Sequence, residues 1–248
     1  MDAASSSTSH SGSFSVLQAA KEGFRAANKN PLPLLGMAIA VNLPGLLYTL
    51  FIRIVFQQGE SLWAPGISGF PFLASIPKAE NVLAVILMLI AMLMLRPIWI
   101  RACLTACSVA SPRPNSQTYR NFAAASIIEI LAVVLISSIT RLFMNMTKDF
   151  VQAGIGAVGL LLIASLIVYF AFFPYLIVHL GYGAVQSLKE SVKFVQGIFW
   201  PLFKWGAVLV FFVMILNMVP FIGAAINDLL FGTAVAMIYI RRRELLTQ

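Results

Sequence analysis

The chain has 248 residues, of which 60% are hydrophobic and 10% charged, with a mean hydropathy of +0.89 and a net charge of +8. Soluble domains carry roughly 25% charged and about 45–50% apolar residues, so a soluble globule of this composition would leave apolar surface uncovered. A membrane protein is the class that fits; disorder and collagen-like repeats are excluded, and two cysteines exclude a disulfide scaffold.

Residues 1–13 are polar and Ser-rich, without a basic stretch leading into an apolar core. They predict a disordered cytoplasmic tail and not a secretory signal. An α-helix needs ~20 mostly apolar residues to cross the hydrocarbon core. Six segments meet that length, at about 33–56, 82–102, 122–143, 157–180, 200–220 and 222–240. The last two are separated by Val219, Pro220, Phe221, Ile222 and Gly223, a tight turn. The connection 57–81 holds Trp63, Phe70 and Phe72 among prolines, which suits the headgroup zone of the outer surface.

Basic residues cluster at alternate span ends. Lys21, Arg25 and Lys29 precede span 1, Arg101, Arg113 and Arg120 lie between spans 2 and 3, Lys189 and Lys193 between spans 4 and 5, and Arg241, Arg242 and Arg243 after span 6. The other side holds Arg53, Lys78, Arg141 and Lys148. The asymmetry predicts cytoplasmic N- and C-termini and makes the net charge a topology signal, so nucleic acid is not an expected partner.

Residues 18–34 align without a gap on 186–202, with identities Gln18/Gln186, Lys21/Lys189, Glu22/Glu190, Pro33/Pro201 and Leu34/Leu202. Span 2 aligns on span 6 in the same order, so that Ile98–Arg101 matches Ile238–Arg241. The predicted unit is an amphipathic helix followed by two spans, in copies at about 15–101 and 183–241, with a hairpin at about 120–180 inserted between them. Copies that face the same way form a parallel repeat about an axis along the membrane normal. The amphipathic helices carry Leu17, Ala20, Phe24 and Ala27, and Val185, Leu188, Val192, Val195 and Phe199, at helical spacing. They suit either the cytoplasmic interface, with Lys21, Arg25, Lys29, Lys189, Lys193, Arg241, Arg242 and Arg243 near anionic headgroups, or ordinary packing on the span ends. The fold class is thus all-α: a polytopic membrane bundle of about six spans in one membrane domain, 14–248.

The stretch FPYLIVHLGYGAVQSLKESVKFVQGIFWPLFKWGAV has a span ending near Pro, a Gly-x-x-x-Ala/Ser-Leu-x-x-Ser-type helix, and a next span opening near Trp. With the ending VPFIGAAINDLLFGTAVAMIYIRRREL, it resembles the membrane-domain family of glycerophosphoryl diester phosphodiesterases and related six-span bacterial proteins. The resemblance is best over 170–245 and fainter over 14–45. It implies a membrane-embedded accessory module in a bacterial cytoplasmic membrane. It carries over no catalytic residue, and no chain remains here for the catalytic barrel of some relatives. A fainter likeness is to sulfate-permease-like proteins.

Intramembrane ionisable groups are the candidates for function. Lys204, Arg53 and Arg141 lie near span ends, where long side chains snorkel. Glu129 lies roughly 10 Å in from the cytoplasmic end of span 3, and Asp228 roughly 9 Å in from the outer end of span 6, at ~1.5 Å per residue. These levels predict an interhelical Glu129–Arg96 pair, place Asp228 near Arg53 or Arg141, and keep the two carboxylates apart. Either carboxylate alternatively couples an ion or proton to transport. Asn42, Asn217 and Asn227 can bond between helices, and Pro44, Pro97 and Pro174 can kink them.

Cys103 and Cys107 share a helix face on the reducing side without a neighbouring His, so neither a disulfide nor a zinc site is expected. Phosphate-cradling Gly loops, nucleophile elbows and His-Glu-x-x-His are missing from the sequence, and no cofactor is expected. The first expectation for function is a non-enzymatic scaffold or accessory subunit, with membrane lipids and other membrane subunits or a second copy as partners. The alternative is a transporter or channel for a small solute, ion or lipid.

Overall fold

The computed structural model describes residues 14–56, 82–147, 149–216 and 222–247, and these are helical without a strand among the described residues. The helices are α1 (Val16–Lys29), α2 (Pro31–Phe56), α3 (Val82–Ala106), α4 (Ser116–Asn145), α5 (Asp149–Phe170), α6 (Phe173–Leu180), α7 (Ala184–Val195), α8 (Phe199–Leu216) and α9 (Ile222–Leu246). The expected tail 1–13, outer connection 57–81 and turn 219–221 lie outside the described residues, as do Lys148, Asn217 and the side chain of Arg53.

Among the described residues, four stretches are long and apolar enough to cross a membrane: Ile86–Ala106, Ser116–Asn145, Phe150–Leu180 and Gly223–Leu246. A fifth crossing exists if α7 and α8, bent 97° against each other, count as one broken span. The apolar stretch at the start of α2, Pro31–Gly45, is shorter than a span. The described parts of the six expected segments are helical apart from the break at 171–172, and four or five of these segments are candidate crossings among the described residues. Large side chains such as Leu131, Leu135, Leu160 and Phe211 stand exposed along α4, α5 and α8, as lipid-facing surfaces require.

Local chemistry sets the helix ends. Ser15 caps α1, its side chain accepting from the Gln18 N–H at 3.3 Å. Asn30 ends α1 outside the helical region, at φ −137° and ψ 64°, because Pro31 follows and disfavours the helical conformation. Asn115 and Thr118 form a capping box at the start of α4.

Between α5 and α6 the helix breaks at Ala171–Phe172, within one turn before Pro174, which has no backbone N–H to donate. The hydroxyl of buried Ser191, on α7, accepts from the Phe172 N–H at 3.1 Å and donates to the Tyr169 carbonyl at 2.8 Å. Both backbone groups of the break are thereby satisfied by one side chain. Ser191→Ala is expected to cost about 1–3 kcal/mol, the range for stranding buried polar partners. Thermal melting in detergent checks it; an unchanged midpoint would show that the break holds itself.

The core gathers at one end of the bundle. Short α6 is buried among α3, α4 and α7. Tyr239 of α9 is fully buried, with Phe194 stacked at a centroid distance of 5.5 Å and Tyr175 at 5.7 Å. α1 lies along α9 with Val16, Ala19, Ala20, Ala26 and Ala27 buried and Lys21, Arg25, Asn28 and Lys29 exposed. At the crossing, a Cβ on Gly23 would stand 2.5 Å from the Thr233 carbonyl oxygen and 2.6 Å from the Ala234 Cα.

The register of α9 on α3 departs from the one the repeat implies. A Cβ on Gly232 would meet Trp99 and Cys103 at 2.8–2.9 Å, and the Arg96–Asp228 contact below has the same offset. The repeat sets Arg241 level with Arg101, so α9 is displaced along α3 by roughly nine residues, about 13 Å at the helical rise. The two aligned segments also pack differently: α1 packs chiefly on α9, whereas α7 packs on α4, α5 and α6.

Candidate functional site

A cavity of about 380 Å³ opens between α3, α4, the α5–α6 break and α9. Each wall is one face of a helix at i, i+3, i+4, i+7 spacing: Leu89, Met92, Leu93, Arg96 and Ile100 on α3; Phe122, Ser126, Glu129 and Ile130 on α4; Asp228, Phe231, Gly232 and Val235 on α9. Phe170, Phe173, Pro174 and Tyr175 close it from the break, and Trp99 from α3.

Three ionisable groups of the cavity come from three different helices. Arg96 pairs with Asp228, Nη1 to Oδ1 at 3.4 Å. The other Asp228 oxygen accepts from Asn42 Nδ2 of α2 at 2.8 Å, and the same amide donates to the Ala38 carbonyl at 2.8 Å. Three side chains thus lock α2, α3 and α9 together, and Asn227, next to Asp228 in the sequence, is buried. The Tyr175 hydroxyl donates to the Gly232 carbonyl at 3.0 Å, fastening α6 to α9 at the cavity's edge.

One expected pairing and one expected level are corrected. Glu129 does not form the predicted ion pair with Arg96; it faces the same cavity and makes no hydrogen bond or ion pair among the described residues. Asp228 pairs with Arg96 and not with Arg141, which is exposed on α4 without an ion pair among the described residues. The physical reason is the axial displacement of α9. Depth counted from each span's own end assumes flush ends, and the stagger brings Asp228 down to Arg96. The two carboxylates expected at different levels therefore share one cavity.

The eight basic residues expected at lipid headgroups divide into two groups. Lys21, Arg25, Lys29 and Lys189 are exposed and without ion pairs among the described residues. The other four are engaged by the protein. Lys193 pairs with Glu190 at 2.6 Å, and Arg241 with Glu22 at 2.9 Å and Glu244 at 3.1 Å. Arg242 donates to the Phe194 and Gln196 carbonyls at 3.2 and 2.8 Å, capping the C-terminus of α7. Arg243 lies 3.3 Å from His179 Nε2, and His179 Nδ1 is 3.1 Å from the Tyr239 hydroxyl.

Cys103 and Cys107 are free and buried, and Cys107 Sγ lies 3.6 Å from the Thr233 carbonyl. Among the described residues no group of three His, Cys, Asp or Glu side chains could hold a metal ion. Sequence reasoning missed the aromatic wall of Trp99, Phe122, Phe173, Tyr175 and Phe231, although Trp99, Phe122 and Phe231 lie one or two helical turns from a cavity charge on the same helix; Phe173 and Tyr175 are on α6, which carries no such charge. Compared with known proteins, the chain matches no family model, and no curated protein or solved structure is significantly similar to it.

Proposed function

We propose that the chain binds a small solute, or the buried part of a lipid, in the cavity between α3, α4, α5–α6 and α9, as a membrane transporter or carrier does. The observation that carries this reading is Glu129: a carboxylate that makes no hydrogen bond or ion pair among the described residues and lines an aromatic-rich cavity inside a membrane bundle. A structural carboxylate at that depth is expected to find a partner in the bundle, and Asp228 does so. The α5–α6 break facing the same space supports the reading, because non-helical backbone at membrane depth is tolerated where it lines a cavity or is buried in protein.

On this proposal the chain crosses the membrane six times with both termini in the cytoplasm of a bacterial inner membrane. The exposed Lys21, Arg25, Lys29 and Lys189 then lie toward anionic headgroups. The level of α1 supports this arrangement. Gly23 meets α9 opposite the C-terminal end of α3, where an amphipathic helix on the cytoplasmic surface belongs. The repeat is supported by helix starts: α1 and α7, and α2 and α8, begin at positions that correspond in the alignment of 18–34 on 186–202. The different packing of α1 and α7 points to copies that diverged in position.

The accessory-subunit reading is favoured by one observation, that Arg96, Asp228 and Asn42 satisfy one another as a structural cluster does. The likeness to the phosphodiesterase membrane domains points the same way.

Native mass spectrometry of the full chain, purified from its own membranes in mild detergent, separates the two. A small molecule or lipid retained at fixed stoichiometry is expected. A stoichiometric protein subunit with no retained small molecule would overturn the transport reading in favour of the accessory one.

A further inference from the structure

We infer that the ligand of the cavity is a monovalent organic cation with an apolar or aromatic body, held by Glu129 as its counter-ion. This rests on the proposal that the cavity is a binding site, and it adds the chemical class of the ligand.

The charges decide the sign. The lining carries one guanidinium and two carboxylates, from Arg96, Glu129 and Asp228. Arg96 is in contact with Asp228, whose second oxygen is held by Asn42, so those two charges compensate each other. One negative charge is left, on Glu129, at half-buried depth on the cavity face of α4. An ionised carboxylate out of water is costly unless a cation accompanies it or a proton neutralises it. An anion would add a second uncompensated charge, a neutral solute would leave Glu129 to a proton, and an organic cation is the ligand that supplies the counter-charge itself.

The walls decide the body. Trp99, Phe122, Phe173, Tyr175 and Phe231 surround the space. Ring faces attract a cation through their quadrupole and accept apolar groups at the same time. The volume of about 380 Å³ falls within the range of small-molecule sites, roughly 300–1,000 Å³. A hydrated inorganic ion uses none of the aromatic wall, whereas an ammonium group on a hydrocarbon body uses all of it.

The test is equilibrium binding to the full chain in lipid nanodiscs, with three probes of similar size and different charge. These are benzyltrimethylammonium, benzyl alcohol and benzenesulfonate. Saturable binding of the ammonium is expected, at least about tenfold tighter than either other probe. Glu129→Gln should lower ammonium affinity about tenfold or more and leave benzyl alcohol unchanged. Equal or tighter binding of the neutral or anionic probe overturns the cation assignment while leaving the cavity as a binding site. Unaltered ammonium binding by Glu129→Gln overturns it as well. Saturable binding of none of the three overturns both the cation assignment and the binding-site reading. The probe series on the unmodified chain decides the sign of charge even where the variant does not fold.

Discussion

Replacing Gly23 with alanine is expected to lift α1 off α9 and lower the stability of the bundle by about 3 kcal/mol, the upper range for overpacking a well-packed contact. The added methyl would meet the Thr233 carbonyl and the Ala234 Cα at 2.5–2.6 Å, and both are backbone atoms of a helix interior that cannot rotate away. Something must therefore move as a body, and α1, joined to the rest through a single turn at Asn30, is the element free to do so. The separation also strains the Glu22–Arg241 contact of 2.9 Å on the same pair of helices. Limited proteolysis between residues 14 and 30, with a thermal melt in detergent, reads both effects. Gly36→Ala is the control: beyond its own helix, no atom of the described residues lies within 4 Å of the added Cβ in α2, and a helical Gly→Ala change with free space should be neutral or stabilising by up to about 1 kcal/mol. Equal behaviour of the two variants would show that α1 is not seated on α9 through Gly23.

Asp228→Leu is expected to destabilise the bundle by about 2–3 kcal/mol. Removing one partner of a buried ion pair leaves the other charge uncompensated, at a cost of about 3–5 kcal/mol when burial is complete. The Arg96 side chain here is 33% exposed and that of Asp228 22%, so solvent screening reduces the figure. The Asn42 amide loses its acceptor at the same time. The double replacement Arg96→Met with Asp228→Leu should recover most of the loss, because apolar side chains of similar volume can substitute for a compensated pair. A double-mutant cycle of melting midpoints measures the coupling. Additive losses would mean that the pair is not energetically coupled. The same cycle run with Glu129 in place of Asp228 should show weaker coupling to Arg96, since Glu129 faces the cavity without an ion pair among the described residues.

The two sites differ in how far the sequence announces them. The polar face of α4 is legible: Phe122, Ser126 and Glu129 recur on one side of an otherwise apolar helix, and so does the α9 face of Asp228, Phe231, Gly232 and Val235. The kink near Pro174 is legible too, because proline cannot donate a helical hydrogen bond. What satisfies the kink is not: Ser191 lies on another helix, and nothing near it in the sequence distinguishes it from Ser187. Arg242 reads as a basic residue beyond a span end, yet its work is to cap α7.

The membrane class and the helical segments were determined by the sequence alone. Apolar stretches of span length have one way to satisfy their backbone in lipid, each within its own helix, so local composition is sufficient. Which charges meet was decided only in the tertiary structure. Whether Asp228 finds Arg96, and whether Glu129 is left facing the cavity, depends on an axial offset between α3 and α9 of about 13 Å at the helical rise. The missing side chain of Gly232 leaves room for Trp99 and Cys103 at that offset, a match between two surfaces that no pattern within either helix contains.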